Sequence, residues 1–208
     1  MGRKMREAAV KSIYTYWRSL AANDSVPARN AIDPRALKSH LADLFILERL
    51  DRAVFGFRLA GTRVCARYGR ELRDHDFVRL WPSQQHAQVL SSLNRCLQKP
   101  EPLVLRGNAA TLDGQAVPFQ VLLLPLCDAN GQVTRILGAM ITADDQALRQ
   151  GATLISQTLE GVITPSLGVT REPAAAPAFV AGRETRVSFL RIVDGSKAIG
   201  DKLAVNAA

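Results

Sequence analysis

Histidine, cysteine, paired carboxylates and aromatic side chains with polar tips are the groups in this sequence that could carry chemistry. Their spacing argues against most of it. The three histidines, His40, His75 and His86, are scattered, and Cys65, Cys96 and Cys127 recur about every thirty residues with no C-x-x-C and no adjacent histidine. A zinc site needs ligand pairs at short spacing, and a disulfide frame needs an even set in an oxidising compartment. The cysteines therefore read as buried reduced thiols. Asp144-Asp145 is a carboxylate pair at the exit of a strand-like stretch. One such pair supplies too few oxygens for a hard cation and reads as a solvated turn. The phosphate-cradling G-x-x-x-x-G-K-[ST] loop, the G-x-S-x-G elbow and the H-E-x-x-H zinc helix do not occur. Histidine-kinase boxes and the Gly-Gly-Asp-Glu-Phe signature of cyclic-dinucleotide synthesis are missing too. The expectation is a chain with no metal site and no catalytic machinery of its own.

The bulk properties bound what remains. At 208 residues and 47% apolar composition, one packed core with extensions is the simplest organisation. No apolar run approaches the roughly 20 residues a membrane span needs. Met1-Gly2-Arg3-Lys4 leads into Arg6-Glu7 rather than an apolar stretch, so no signal peptide is expected, and Arg6 stands where a myristoylation signal wants Ser or Thr. A cytoplasmic location follows as an expectation. The net charge of +8 raises nucleic acid as a partner, but it divides as +5 over residues 1–60, +2 over 61–150 and +1 beyond, interleaved with acids. A nucleic-acid reader shows a clustered basic face, so nucleic acid is disfavoured.

The elements that must position these residues show in the periodicity. Val10, Ile13, Tyr14, Trp17, Leu20 and Ala21 recur at three- and four-residue spacing, an amphipathic helix ended by Asn23-Asp24-Ser25 and Pro27. Asp33-Pro34 predicts the start of a second helix, with Leu37, Leu41 and Leu44 on one face. Residues 44–50 and 54–60 flank Asp51-Arg52-Ala53 as a β-hairpin, with alternation placing Phe55, Phe57 and Leu59 on one face. Short helical turns fill 62–82. A long helix from Ser83 buries Val89, Leu90, Leu93, Cys96 and Leu97 and ends at Lys99-Pro100. Three strands follow, over 103–110, 116–126 and 133–142, with turns at Asp113-Gly114 and at Asp128-Ala129-Asn130-Gly131. The middle strand is apolar on both faces, so something must cover the sheet on each side. Regularity is lost over 143–182. A last segment over 186–194, with Val187, Phe189, Leu190 and Ile192 beside Arg186 and Arg191, has strand character.

Helix, helix, two strands, short helices, a longer helix and three antiparallel strands is the order of a PAS domain. The sequence resembles an alphaproteobacterial PAS subfamily of mostly single-domain proteins. The likeness is carried by Trp17, Pro27-x-Arg29-x-x-x-Asp33-Pro34, Phe57-Arg58-Leu59-Ala60-Gly61-Thr62, Tyr68-Gly69-Arg70-Glu71-Leu72, Leu80-Trp81, Leu124-Pro125-Leu126 and Arg135-Ile136-Leu137-Gly138, over roughly residues 6–142. The resemblance implies an α+β fold: a five-stranded antiparallel sheet of order 2-1-5-4-3 with helices on one face and the N-terminal amphipathic helix on the other. The chain then divides into an N-terminal helix and linker (1–32), a PAS-like domain (33–143), a flexible linker (144–182) and a tail (183–208).

A pocket between sheet and helices is where such domains hold small ligands, and Phe57, Leu59, Tyr68, Leu80, Trp81 and Phe119 are the candidates to line it. For Tyr68 and Trp81, ordinary core aromatics is the competing reading. Arg58 is expected to point at the N-terminal helix and pair with a carboxylate there. Haem through His86 is disfavoured, because ligation needs an imidazole aimed into an apolar pocket and His86 opens a helix at its polar end. Cys65 lacks the context of a flavin photosensor's cysteine. No cofactor is required. Ile13, Trp17, Leu20, Phe189 and Arg191 are the candidate interaction residues, with signalling proteins or a second copy as partner. Two functions stand open. One is a regulatory module that passes a signal through protein contacts, with or without a pocket ligand. The other is a pure adaptor whose pocket is filled by its own side chains.

Overall fold

Along Ala116–Cys127 nine of twelve side chains are buried, and they divide by strict alternation. Val117, Phe119, Val121 and Leu123 face one cluster, and Leu122, Leu124 and Leu126 face another. This strand, β4, is the inner member of a sheet built from β1 (Leu44–Arg49), β2 (Phe55–Ala60), β3 (Leu103–Thr111), β5 (Val133–Thr142) and β6 (Leu154–Ile163). All pairs are antiparallel, in the order β2-β1-β5-β4-β3-β6. The computed structural model describes residues 2–21, 25–142, 148 and 151–165. The candidate residues Phe189 and Arg191, the strand-like segment 186–194 and the pair Asp144-Asp145 lie outside them.

Helices cover both faces. On the inner face lie α2 (Thr62–Tyr68), a 3-10 turn (Phe77–Leu80) and α3 (His86–Gln98), which buries Val89, Leu93, Cys96 and Leu97. On the outer face α1 (Gly2–Leu20) lays Val10, Ile13 and Trp17 against Leu122, Leu124, Leu126 and Leu137. The Trp17 indole N–H donates to the Pro125 carbonyl at 3.0 Å, so its one polar atom is satisfied as the ring is buried. The helix needed to cover a two-faced apolar strand is the one whose stripe the periodicity showed.

The sheet corrects the sequence reading in three places. It has six strands, not five, and the expected linker over 144–182 fails across 154–163, where β6 joins the β3 edge. Bulges in β6 at Ile155 and Glu160 leave Leu154, Gln157, Leu159 and Val162 facing inward, a spacing of neither two nor 3.6. The second helix is instead two 3-10 turns, Pro34–Leu37 and Leu41–Asp43. Asp33 does cap the first, its carboxylate accepting from the Arg35 N–H at 2.9 Å. Of the apolar residues in these turns only Leu37 is buried and Leu41 stays exposed, so no stripe long enough to hold a helix exists. Finally, Leu59 leaves the inner face. An extra residue, Arg58, is inserted between Phe57 (paired with Leu47) and Leu59 (paired with Ile46). Leu59 is thereby 48% exposed, while Ala60 turns inward.

Trp17→Ala is expected to cost about 3–5 kcal/mol in urea unfolding, as deletion of a buried aromatic does. Trp17→Phe, which keeps most of the burial and loses only the bond to Pro125, is expected to cost about 1 kcal/mol. A loss from Trp17→Ala no larger than that from Trp17→Phe would show that α1 is not part of the core.

Candidate functional site

A series of aromatic rings lies in the core between the sheet and the helical layer. Phe45 meets Phe57 at a centroid distance of 5.4 Å and Phe77 at 5.7 Å, Phe77 meets Trp81 at 6.0 Å, and Trp81 meets Phe119 at 5.7 Å. These are the separations of edge-on and offset aromatic packing. Gly138 admits the Phe45 ring, since a Cβ there would lie 2.0 Å from it. Of the predicted lining residues, the fold brings Phe57, Tyr68, Leu80, Trp81 and Phe119 to this cluster, with Leu80 and Tyr68 at its half-buried margin. Leu59 stands on the opposite face. Phe45 and Phe77 complete the ring series and were not foreseen, although Phe45 lies two residues from Leu47 in an alternating strand.

One polar atom in this cluster lacks a partner. Trp81 is 3% exposed, and its indole N–H finds no acceptor among the described residues. Its carbonyl is engaged by the His86 Nε2 at 2.8 Å. With a carbonyl as the acceptor, Nε2 carries the proton, which takes that nitrogen out of service as a ligand for haem.

Polar groups fix the wall beside the rings. Asp43 and Arg67 are both buried, and one Arg67 guanidinium nitrogen lies 2.7 Å from the Asp43 carboxylate. The other donates to the Met140 carbonyl at 2.8 Å, and Arg63 bonds the second carboxylate oxygen. Burial pulls the Arg67 pKa below the usual arginine value, with Asp43 opposing the shift. This pair ties α2 to the end of β5 and sets the direction in which the next residue, Tyr68, leaves the helix. The Tyr68 hydroxyl donates to the Gln157 side-chain oxygen of β6 at 2.5 Å. Burial of its hydroxyl end raises the phenol pKa well above the ordinary value, which Arg67 and Gln157 only partly offset. Gln85, just ahead of α3, pairs with β6 twice: its amide donates to the Leu159 carbonyl at 3.0 Å and accepts from the Leu159 N–H at 2.8 Å. Asp43, Arg67, Gln85 and Gln157 had no signal in apolar periodicity, since each is a polar residue at a buried or half-buried position.

The remaining candidates fall as follows. Ile13 and Trp17 are consumed by the outer core, and Leu20 is half-exposed at the end of α1. Arg58 pairs with Glu48 of the neighbouring strand at 2.7 Å, not with a carboxylate on α1, and Glu48 also takes Arg135 at 3.0 Å. Cys96 is buried, but Cys65 and Cys127 are only half-buried, and all three thiols are free. Desolvation raises the pKa of Cys65 and Cys96, which keeps both as thiols. Among the described residues no cluster of three His, Cys, Asp or Glu side chains could hold a metal, and no helix is long and apolar enough to cross a membrane.

An antiparallel sheet of this strand order, with short helices and one longer helix over its inner face, defines a PAS-type fold. A family model described as PAS domain matches residues 5–141, and the chain belongs to that family. Comparison with curated proteins returned no match. Among solved structures, the chain is similar to a light-oxygen-voltage domain studied with a flavin analogue (15% identity, TM-score 0.42, 56% of this chain and 87% of that one). It is also similar to a LOV protein of Rhodobacter sphaeroides (12% identity, TM-score 0.40, 55% of this chain and 70% of that one). The PAS domain of a protein from Colwellia psychrerythraea is a third (11% identity, TM-score 0.39, 52% of this chain and 95% of that one).

Two predictions follow from the polar wall. Asp43→Ala leaves the Arg67 guanidinium buried without its carboxylate and is expected to cost about 3–5 kcal/mol in urea unfolding. Asp43→Leu combined with Arg67→Met should recover most of that loss, and failure to do so would mean the pair is not the source of the cost. The second concerns alkaline pH. A folded-state pKa raised above tyrosine's ordinary 10.0 means that folding favours the neutral phenol. Its contribution is intact below pH 10 and is lost as pH rises above that value. Cys96, raised from 9.0, begins the same kind of loss about a unit lower. In Tyr68→Phe the part of the loss that sets in above pH 10 is expected to vanish while the earlier part persists. Urea unfolding across about pH 8–11 reads both.

Proposed function

We propose that this chain is a non-catalytic PAS regulatory module of the cytoplasm that passes a signal through protein contacts, and that its core is filled by its own aromatic side chains. The observation that carries this reading is the unbroken ring series Phe45, Phe57, Phe77, Trp81 and Phe119, which occupies the volume between sheet and α3 where a ligand would lie. Its Phe57-Arg58-Leu59-Ala60-Gly61-Thr62 and Tyr68-Gly69-Arg70-Glu71-Leu72 segments resemble those of alphaproteobacterial single-domain PAS proteins, and we place it with them. Signalling proteins or a second copy of the chain are the partners this reading requires.

A second reading is favoured by one atom. The Trp81 indole N–H, without a partner among the described residues, is a donor fixed in an apolar core, which would suit a small neutral molecule with one hydrogen-bond acceptor.

Native mass spectrometry of the freshly purified chain separates the two. Ions at 22.7 kDa or twice that, with no adduct, are expected for the self-filled module. A stoichiometric low-mass adduct that is lost in Trp81→Phe would replace this reading with ligand sensing. Turnover of a substrate by the chain alone would overturn the non-catalytic assignment.

A further inference from the structure

Among the described residues the sheet has one open edge. At the β2 end, the backbone of residues 74–76 closes the edge: the Phe57 N–H donates to the His75 carbonyl at 2.9 Å, and the Asp74 N–H to the Phe57 carbonyl at 2.8 Å. At the other end stands β6, bonded to β3 on one side and, among the described residues, to no strand on the other. Its attachment differs from that of every inner strand. Only three of its ten side chains are buried, against nine of twelve in β4. Its ladder to β3 is interrupted twice within ten residues, at Ile155 and Glu160. A strand with little buried apolar area and a broken ladder lies at the low end of local stability.

Beyond its ladder to β3 and the buried Leu154 and Leu159, β6 is held by side-chain ties from the helical layer. Tyr68, the last residue of α2, bonds Gln157, and Gln85 makes its two bonds to the Leu159 backbone beside the Glu160 bulge. A Cβ at Gly69, which ends α2 in the left-handed region at φ 63°, would stand 2.9 Å from the Thr153 methyl, so the entrance to β6 packs directly on that helix end. Gln85 follows Trp81 by four residues, and His86, bonded to the Trp81 carbonyl, adjoins it. Both ties therefore sit on segments that border the aromatic cluster.

We propose that β6 is a releasable strap. It opens as a unit separate from the other five strands, and Tyr68 and Gln85 are the latch through which displacement of α2 or of the start of α3 frees it. Opening leaves β3 as the edge, a row of unpaired backbone N–H and C=O groups. The inference deepens the regulatory reading above, and its test needs no partner, so either can fail while the other stands.

Amide hydrogen exchange on the full chain, followed by mass spectrometry under native conditions, reads the opening. Peptides covering 154–163 are expected to exchange at least about 100-fold faster than those covering 116–127 and 133–142, as a sub-globally opening unit does. Gln85→Ala is expected to speed exchange of 154–163 by a further roughly tenfold, the scale of one to two hydrogen bonds, with β4 and β5 unchanged. Gln85→Glu is isosteric. It keeps the acceptor for the Leu159 N–H but sets an oxygen against the Leu159 carbonyl, and should act in the same direction. Equal protection of β6 and β4 in the unsubstituted chain would overturn the proposal. So would variants that leave β6 exchange unchanged or speed all strands together.

Discussion

A strand with apolar side chains on both faces cannot rest against water on either, and β4 is such a strand. Its inner residues demand the helical layer of α2 and α3, and its outer residues demand a second cover that the three-strand unit lacks. The amphipathic stripe of α1 supplies that cover. The bond from Trp17 to Pro125 falls within this contact, on the β4 strand itself, and joins the first element of the chain to the strand shared by both clusters. Sheet, inner helices and leading helix are in this sense one core in two clusters that share β4.

What the sequence made legible follows from the same constraint. Where burial is two-sided and the ladder regular, as along 116–127, period-two alternation assigns every side chain to its face. A single inserted residue defeats it: Arg58 shifts the pairing by one, so Leu59, next but one to an inner phenylalanine, emerges on the outer face. In β6 two insertions within ten residues break the pattern altogether, and the strand reads as linker. The candidate site was half legible for a related reason. Aromatic residues announce themselves, so Phe57, Trp81 and Phe119 were found. The polar ties were not, because Asp43, Arg67, Gln85 and Gln157 look like surface residues until tertiary packing encloses them.

The buried Asp43–Arg67 pair is better understood as a positioning device than as a source of stability. Desolvating two charges costs several kcal/mol, and their attraction in a buried site rarely returns more than that. What the pair does uniquely is geometric. The planar guanidinium reaches a carboxylate ahead of β1 and a backbone carbonyl near the end of β5 at once, through separate nitrogens. An apolar side chain at position 67 would pack but would not fix the rotation of α2 about its axis. That rotation decides whether the next side chain, Tyr68, spans the inner face to Gln157.

The ring-filled core and the weakly held sixth strand belong to one argument about rigidity. Five aromatic rings in a linked series leave the space between sheet and α3 little freedom to rearrange, because close-packed interiors have few alternative arrangements. Motion in such a domain is therefore confined to whatever lies outside that packing. Among the described elements β6 adds no ring to that packing: it meets the core through Leu154 and Leu159 and through the specific atoms of its side-chain ties. A tie made of hydrogen bonds differs from one made of buried area in how it fails. Apolar contact is lost gradually as surfaces separate, whereas a hydrogen bond weakens steeply once its angle or distance departs from a narrow range. Small displacements of α2 or of the residues after Trp81 thus act steeply at Gln157 and Leu159.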